Sequence, residues 1–138
     1  MIKDAKLGKD ISVTVVNKIG ILADMAKILA EHGINMQGVA GYAKDGKKEA
    51  EMMLITDDNL RALDALKNNG YKSAREREVL IIDLENKVGA LKIVTNKLAV
   101  AGIDINYIYG TACPSNCPAR LIASTSDNEK AIVALKKP

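Results

Sequence analysis

The apolar positions of this chain change their spacing in an ordered way. From Ile11 to Val16 they alternate with polar ones and are largely β-branched, which predicts a strand. Ile21, Leu22, Met25, Ile28 and Leu29 then recur at helical spacing on one face, so a helix follows. Gly33 stands where a glycine would stop that helix. Ile34 and Met36 return to a period of two and open a second strand. Lys44-Asp45-Gly46-Lys47 supplies a turn, and Glu51 to Thr56 a third strand. Leu60, Leu63 and Leu66 give a second helix its buried stripe, and Tyr71 to Glu78 reads as a fourth strand. The predicted order is β-α-β-β-α-β.

The same order returns 69 residues later. Asn17-Lys18-Ile19-Gly20-Ile21-Leu22 falls on Asn86-Lys87-Val88-Gly89-Ala90-Leu91, and Leu29 to Asn35 falls on Leu98 to Asp104. Asp57 to Lys67 falls on Ser126 to Lys136. At this offset 20 of 69 pairs are identical, so the chain is a tandem duplication. In the second copy Leu80 to Leu84 is the first strand. Ala90, Leu91, Val94, Leu98 and Ala101 mark the first helix, and Ile103, Ile105, Tyr107 and Tyr109 alternate as the second strand. Ser126 with Glu129 reads as a capping box for the last helix. The expected fold is α+β: two ferredoxin-like βαββαβ units in tandem, with antiparallel sheets and the helices on one face. The units span 1–69 and 70–138, with 70–78 completing the first. The second copy ends after its second helix, and Ile2 to Lys6 aligns with Tyr71 to Arg75. Residues 1–7 are therefore expected as the fourth strand of the second unit, a strand exchange; the alternative is a frayed terminus.

Composition narrows the function classes. Hydrophobic residues make up 48% and charged residues 27%, so a packed core is expected rather than disorder. No apolar run is long enough to span a membrane, and MIKDAKLGKD has no signal-peptide core. A cytoplasmic location is the expectation, with no membrane partner. Net charge is +3, with 20 basic and 17 acidic residues mixed along the chain. No basic block marks a nucleic-acid surface. There is no Trp or Phe, and Met52, Met53, Leu54 and Ile55 fill the stretch where an RNA-recognition sheet needs stacking aromatics. No nucleic-acid partner is expected.

The repeated feature that the core does not require is the loop Asn17-Lys18-Ile19-Gly20 and its copy Asn86-Lys87-Val88-Gly89. Four reasons are open. Asn can cap the helix, and Gly permits positive φ or close backbone approach. A helix N-terminus attracts carboxylate or phosphate. Asn also offers both donor and acceptor to a zwitterion. Turn chemistry alone would explain the spacing equally well.

With Gly33-Ile34-Asn35-Met36 and Gly102-Ile103-Asp104-Ile105 downstream, these loops resemble the ACT domain, twice over nearly the whole chain. The style is closest to the serine-binding regulatory domain of phosphoglycerate dehydrogenase and to small free-standing tandem ACT proteins. The resemblance implies binding of a free amino acid between two units, held by the loop of one and the start of the second strand of the other. The positions carried over are Asn17, Ile19, Gly20, Ile21, Leu22 and Asn35. In the second copy they are Asn86, Val88, Gly89, Ala90, Leu91 and Asp104. The proline usual in that family's loop is Ile19 here and Val88 in the copy. Asp104 replaces the amide of Asn35; it would pair with an ammonium and repel a carboxylate. With no catalytic constellation and no room for an attached enzyme domain, the expectation is a non-enzymatic allosteric sensor, a homodimer, either free-standing or acting on a regulated enzyme in trans.

No cofactor is expected, and neither a catalytic nor a metal-ligand constellation emerges. Cys113 and Cys117, spaced C-x3-C in a turn, leave open a metal- or redox-responsive reading; a non-liganded assembly module is the other alternative. His32, the single histidine, is expected to interact with the end of its helix.

Overall fold

The computed structural model describes residues 1–112 and 117–138. The elements are β1 (Ile2–Val16), α1 (Ile21–Glu31), β2 (Met36–Ala43), β3 (Glu49–Thr56), α2 (Asn59–Asn68) and β4 (Arg75–Leu84). They continue as α3 (Ala90–Val100), β5 (Ile105–Thr111), β6 (Ala119–Thr125) and α4 (Asn128–Lys136). The chain divides into two compact units. The first is Lys9–Arg77; the second combines Met1–Gly8 with Glu78–Pro138. Each has the antiparallel ferredoxin-like βαββαβ pattern.

In the first unit β3 pairs with both β2 and β1, antiparallel. Ile11, Val13 and Val15 alternate onto one sheet face and bury there with Leu54 of β3, Met25, Ile28 and Leu29 of α1, and Leu66 of α2. The second unit repeats the plan. β6 pairs with β4 and β5. Leu80, Ile82 and Leu84 pack against Val94 and Leu98 of α3 and Leu135 of α4. Ala5 of β1 belongs to this second core. Residues Met1–Gly8 thus precede the first unit in the chain while clustering with the second.

The helices stop where the glycines predict. Gly33 and Gly102 have φ of 68° and 71°. The N–H groups of Ile34 and Ile103 reach back to the carbonyls of Leu29 and Leu98, closing Schellman turns. Gly70, at φ 99°, ends α2 in the same way, with Tyr71 N–H on Leu66 O.

Several expectations are corrected. The separate strands expected near each repeat boundary are continuous: β1 runs 15 residues and β4 runs 10. Tyr71 to Ala74 is turn and irregular backbone ahead of β4 rather than strand. Leu66 is buried and Leu63 packs against the core as expected, but Leu60 is exposed and Ala62 and Ala65 complete the buried face of α2. The cap of α4 is Asp127, which accepts from Lys130 N–H, and α2 has the equivalent Asp58–Arg61 bond. Ser126 Oγ accepts from Asp104 N–H, so it braces the preceding strand and leaves the cap to its neighbour.

Candidate functional site

Both candidate loops have the same backbone. Gly20 and Gly89 precede α1 and α3 with φ of 87° and 89°, in the left-handed region that a side chain would strain. Neither helix has a side-chain cap. Asn17 therefore does not act as the N-cap that its position suggests. Its amide donates to Lys47 O at 2.9 Å, and its N–H donates to Lys48 O at 2.9 Å. It fastens the loop to the β2–β3 turn, where Gly46 and Lys47 both have positive φ.

The apolar residues of the motif divide in two. Ile21 and Ala90 are buried. Ile19 and Val88 are fully exposed, and Leu22 and Leu91 are 39% and 53% exposed. Leu22 and Leu91 fit the helical stripe of the sequence yet lie outside the packed cores. The same pair of outward apolar positions thus occurs in both copies.

Asn35 and Asp104 occupy equivalent, exposed positions just before β2 and β5. Asn35 N–H donates to Asp57 Oδ1 at 3.0 Å, and Asp57 N–H returns to Asn35 O at 3.1 Å. Asp104 N–H meets Ser126 Oγ at 3.0 Å, and Ser126 N–H meets Asp104 O at 2.9 Å. In both cases the backbone is pinned and the Asn or Asp side chain is left outward.

Sheet register separates the two halves of each candidate site. Val16, next to Asn17, pairs with Glu49, whereas Met36, next to Asn35, pairs with Thr56. Those positions are the two ends of β3. At ~3.3 Å per residue they lie about 23 Å apart. Asn86 and Asp104 flank opposite ends of β6 in the same way, since Leu84 pairs with Ala119 and Ile105 with Thr125. No single unit brings its own loop and its own second-strand start together.

Sequence reasoning passed over other polar groups. In the first unit Asp10, Ser12 and Glu51 are buried on the sheet face opposite the helices. Asp10 pairs with Arg77 Nε at 3.4 Å. Glu51 accepts from the Ser12 hydroxyl and from Thr14 Oγ1 at 2.7 Å, with Lys44 Nζ 3.6 Å away. Burial pushes Glu51 upward, but the two hydroxyls, Lys44 and Arg77 outweigh it and hold the carboxyl below its usual value. The signal was present: Asp10, Ser12 and Thr14 are the polar phase of the β1 alternation. His32 Nδ1 donates to Ile28 O at 2.7 Å, as a residue at a helix end does. Cys113 lies outside the described residues, so the Cys113/Cys117 pair is not described. Among the described residues no group of three metal-ligating side chains occurs, and no helix is long and apolar enough to cross a membrane.

Residues 9–67 match the family model for the ACT domain. The chain carries an ACT domain. It lies within the first unit, Lys9–Arg77. Among solved structures, the chain is similar to protein BT0572 from Bacteroides thetaiotaomicron, at 29% identity and a TM-score of 0.85. That match covers 96% of this chain and 88% of that one. The regulatory subunit of aspartate kinase from Thermus thermophilus, in a ligand-free form, matches at 19% identity and a TM-score of 0.65, covering 98% and 97%. The corresponding subunit from Thermus flavus matches at 18% and 0.63, covering 97% and 95%. At these identities the two kinase subunits share the ACT fold with this chain. No match is found among curated proteins.

Proposed function

We propose that this protein is a non-enzymatic sensor that binds a free amino acid between ACT-type units and regulates a partner enzyme in trans. The observation that carries the reading is the duplicated, outward-facing loop. Ile19 and Val88 are fully exposed at the same motif position, beside a left-handed glycine and an uncapped helix start. Intramolecular packing gives no reason to keep apolar side chains there twice; a surface that becomes covered does.

The separation of Asn17 from Asn35 sets the stoichiometry of this reading. The loop of one unit meets the second-strand start of another, so ligand and assembly are linked. A second copy of the chain supplies the partner unit, making a homodimer. Asn17 and Gly20 take one end of the amino acid and Asn35 the other. The Asn86, Gly89 and Asp104 set forms a second site, in which the carboxylate of Asp104 favours an ammonium. The aspartate kinase subunits are regulatory by name, which supports the same class of role here.

A thermal-shift screen of the twenty amino acids tests the reading. One amino acid is expected to raise Tm at millimolar concentration, as mass action requires for a ligand of the folded state. The rise should vanish in Asn17→Ala and in Asn35→Ala, and light scattering should show dimers. Absence of any shift, or a shift indifferent to both variants, rejects it.

A further inference from the structure

The first unit contains a second, separate recess. It lies between β1, the start of α1 and the connection from α2 to β4, and encloses about 460 Å³, within the size range of small-ligand sites. Its apolar floor includes Val15 and Ile21. On one wall Tyr71 donates its hydroxyl to Asp24 Oδ2 at 2.5 Å. Ser73 Oγ donates to Thr14 O at 2.7 Å and accepts from Thr14 N–H at 3.0 Å, fixing the connection against β1. Lys18 and Lys72 line the recess as well. Neither lysine has an ion-pair partner among the described residues.

The second unit has a recess of about 410 Å³ that shares the positions of Asp24 and of the α2–β4 connection, but not those of β1 and the loop. There Ile2 and Ile93 occupy the positions of Tyr71 and Asp24, while Lys3 retains the position of Lys72. The hydroxyl–carboxylate pair belongs to the first unit alone.

We propose that the Thr14–Ser73 recess binds a small carboxylate that also carries a hydroxyl or ammonium group. Lys18 and Lys72 receive the carboxylate, because charge-assisted contacts to unpaired ammonium groups are the strongest the recess offers. Asp24 accepts from the hydroxyl or ammonium, and Tyr71 fixes the orientation of that carboxylate. Lys18 belongs to the loop that holds Asn17 and Gly20. An occupant therefore biases the conformation of the loop from its other side, and any coupling to the loop's own ligand is reciprocal. None of its lining residues is Asn35.

The test uses the isotopically labelled full chain, with amide shifts followed during titration with L-malate and L-serine. Succinate and propionate serve as matched acids without the donor group. Malate or serine is expected to move the amides of Lys18, Asp24 and Gly70 to Ser73. Lys18→Ala and Lys72→Ala should each weaken that binding about tenfold, as loss of one charge-assisted contact does. Asp24→Asn should erase the preference over succinate or propionate. Asn35→Ala, at the other end of β3, should leave these shifts unchanged while abolishing any effect of the loop's own ligand, which separates failure here from failure of the loop reading. Unmoved Gly70 to Ser73 amides, or binding equal for malate and succinate and for serine and propionate, overturns the proposal.

Discussion

The two units are copies, and they differ in an instructive pattern. Interactions that shape the backbone recur almost atom for atom. Thr56 Oγ1 donates to Asn59 Oδ1 at 2.7 Å, and Thr125 Oγ1 to Asn128 Oδ1 at 2.7 Å. Asn59 and Asn128 amides reach Lys9 O and Glu78 O, each at 3.2 Å. On the sheet face away from the helices the copies have parted. The cross-strand pair Thr14 and Glu51 corresponds to Asp83 and Arg120, which form a two-pronged ion pair at 2.7 and 3.1 Å. Asp10 and Arg77 correspond to Val79 and Gly8. A Cβ at Gly8 would lie 2.3 Å from Ile81 Cδ1, so any side chain there requires that Ile81 side chain to move. The repeated bonds fix turns and caps that only one geometry satisfies, whereas a sheet face accepts any matched set of neighbours.

The sharpest way to break this comparison is to move one unit's solution into the other. Asp10→Ala removes a fully buried carboxylate from beside Arg77 and should cost about 3 kcal/mol in denaturant unfolding, the usual result of breaking a buried pair. The double variant Asp10→Val with Arg77→Gly copies Val79 and Gly8, and should recover about half of that loss through coupling. Full additivity of the two changes would show that the copies are not interchangeable here.

Glu51 comes next. Its carboxyl is held low in the folded state, so its contribution is present above the ordinary value of 4.5 and is lost as pH falls below it. Glu51→Gln should flatten the acid limb of a Tm-against-pH curve while changing little at pH 8 beyond a constant offset. An acid limb of unchanged steepness would assign acid sensitivity elsewhere.

A smaller effect is expected at Tyr71. Burial, with Asp24 beside it, pushes its hydroxyl up to about 12. The folded state gains from the neutral phenol below pH ~10 and loses that gain as pH rises toward 12. Ultraviolet titration of Asp24→Asn should show one tyrosine moving down toward the ordinary value of 10.0. Smallest is Arg120→Ala. Asp83 is held low chiefly by its bonds to Arg120, but the pair is partly exposed, and its loss should cost at most about 1 kcal/mol.

Much of the fold was legible because period and punctuation agree. The change from alternation at Ile11–Val16 to helical spacing at Ile21–Leu29, closed by Gly33, left one reading. Legibility failed where tertiary contacts choose among equivalent local options. Asp127 and Ser126 are both good caps, and only the bond from Asp104 N–H decides between them. Leu60 fits the stripe of α2, yet Ala62 and Ala65 complete the buried face. The candidate loops were legible as a repeated motif, but Asn17 binds the β2–β3 turn, a partner thirty residues away that spacing cannot reveal. The Tyr71–Asp24 contact joins residues 47 apart through a turn that sequence reads as strand.

The permuted second unit has a consequence during synthesis. Lys9–Arg77 is contiguous, so all its partners have been made once Arg77 is complete. Ala5, by contrast, shares a core with Leu135, and Met1 O accepts from Glu85 N–H. At roughly 5–20 residues per second, the segment made first waits some seconds beyond the first unit before its last neighbour is translated. During that interval Ile2 to Gly8 is a strand without its lattice of partners, tethered to a unit that is already able to fold. The charged residues Lys3, Asp4 and Lys6 along it are the kind of side chains that keep such a waiting edge from pairing with a neighbouring nascent chain.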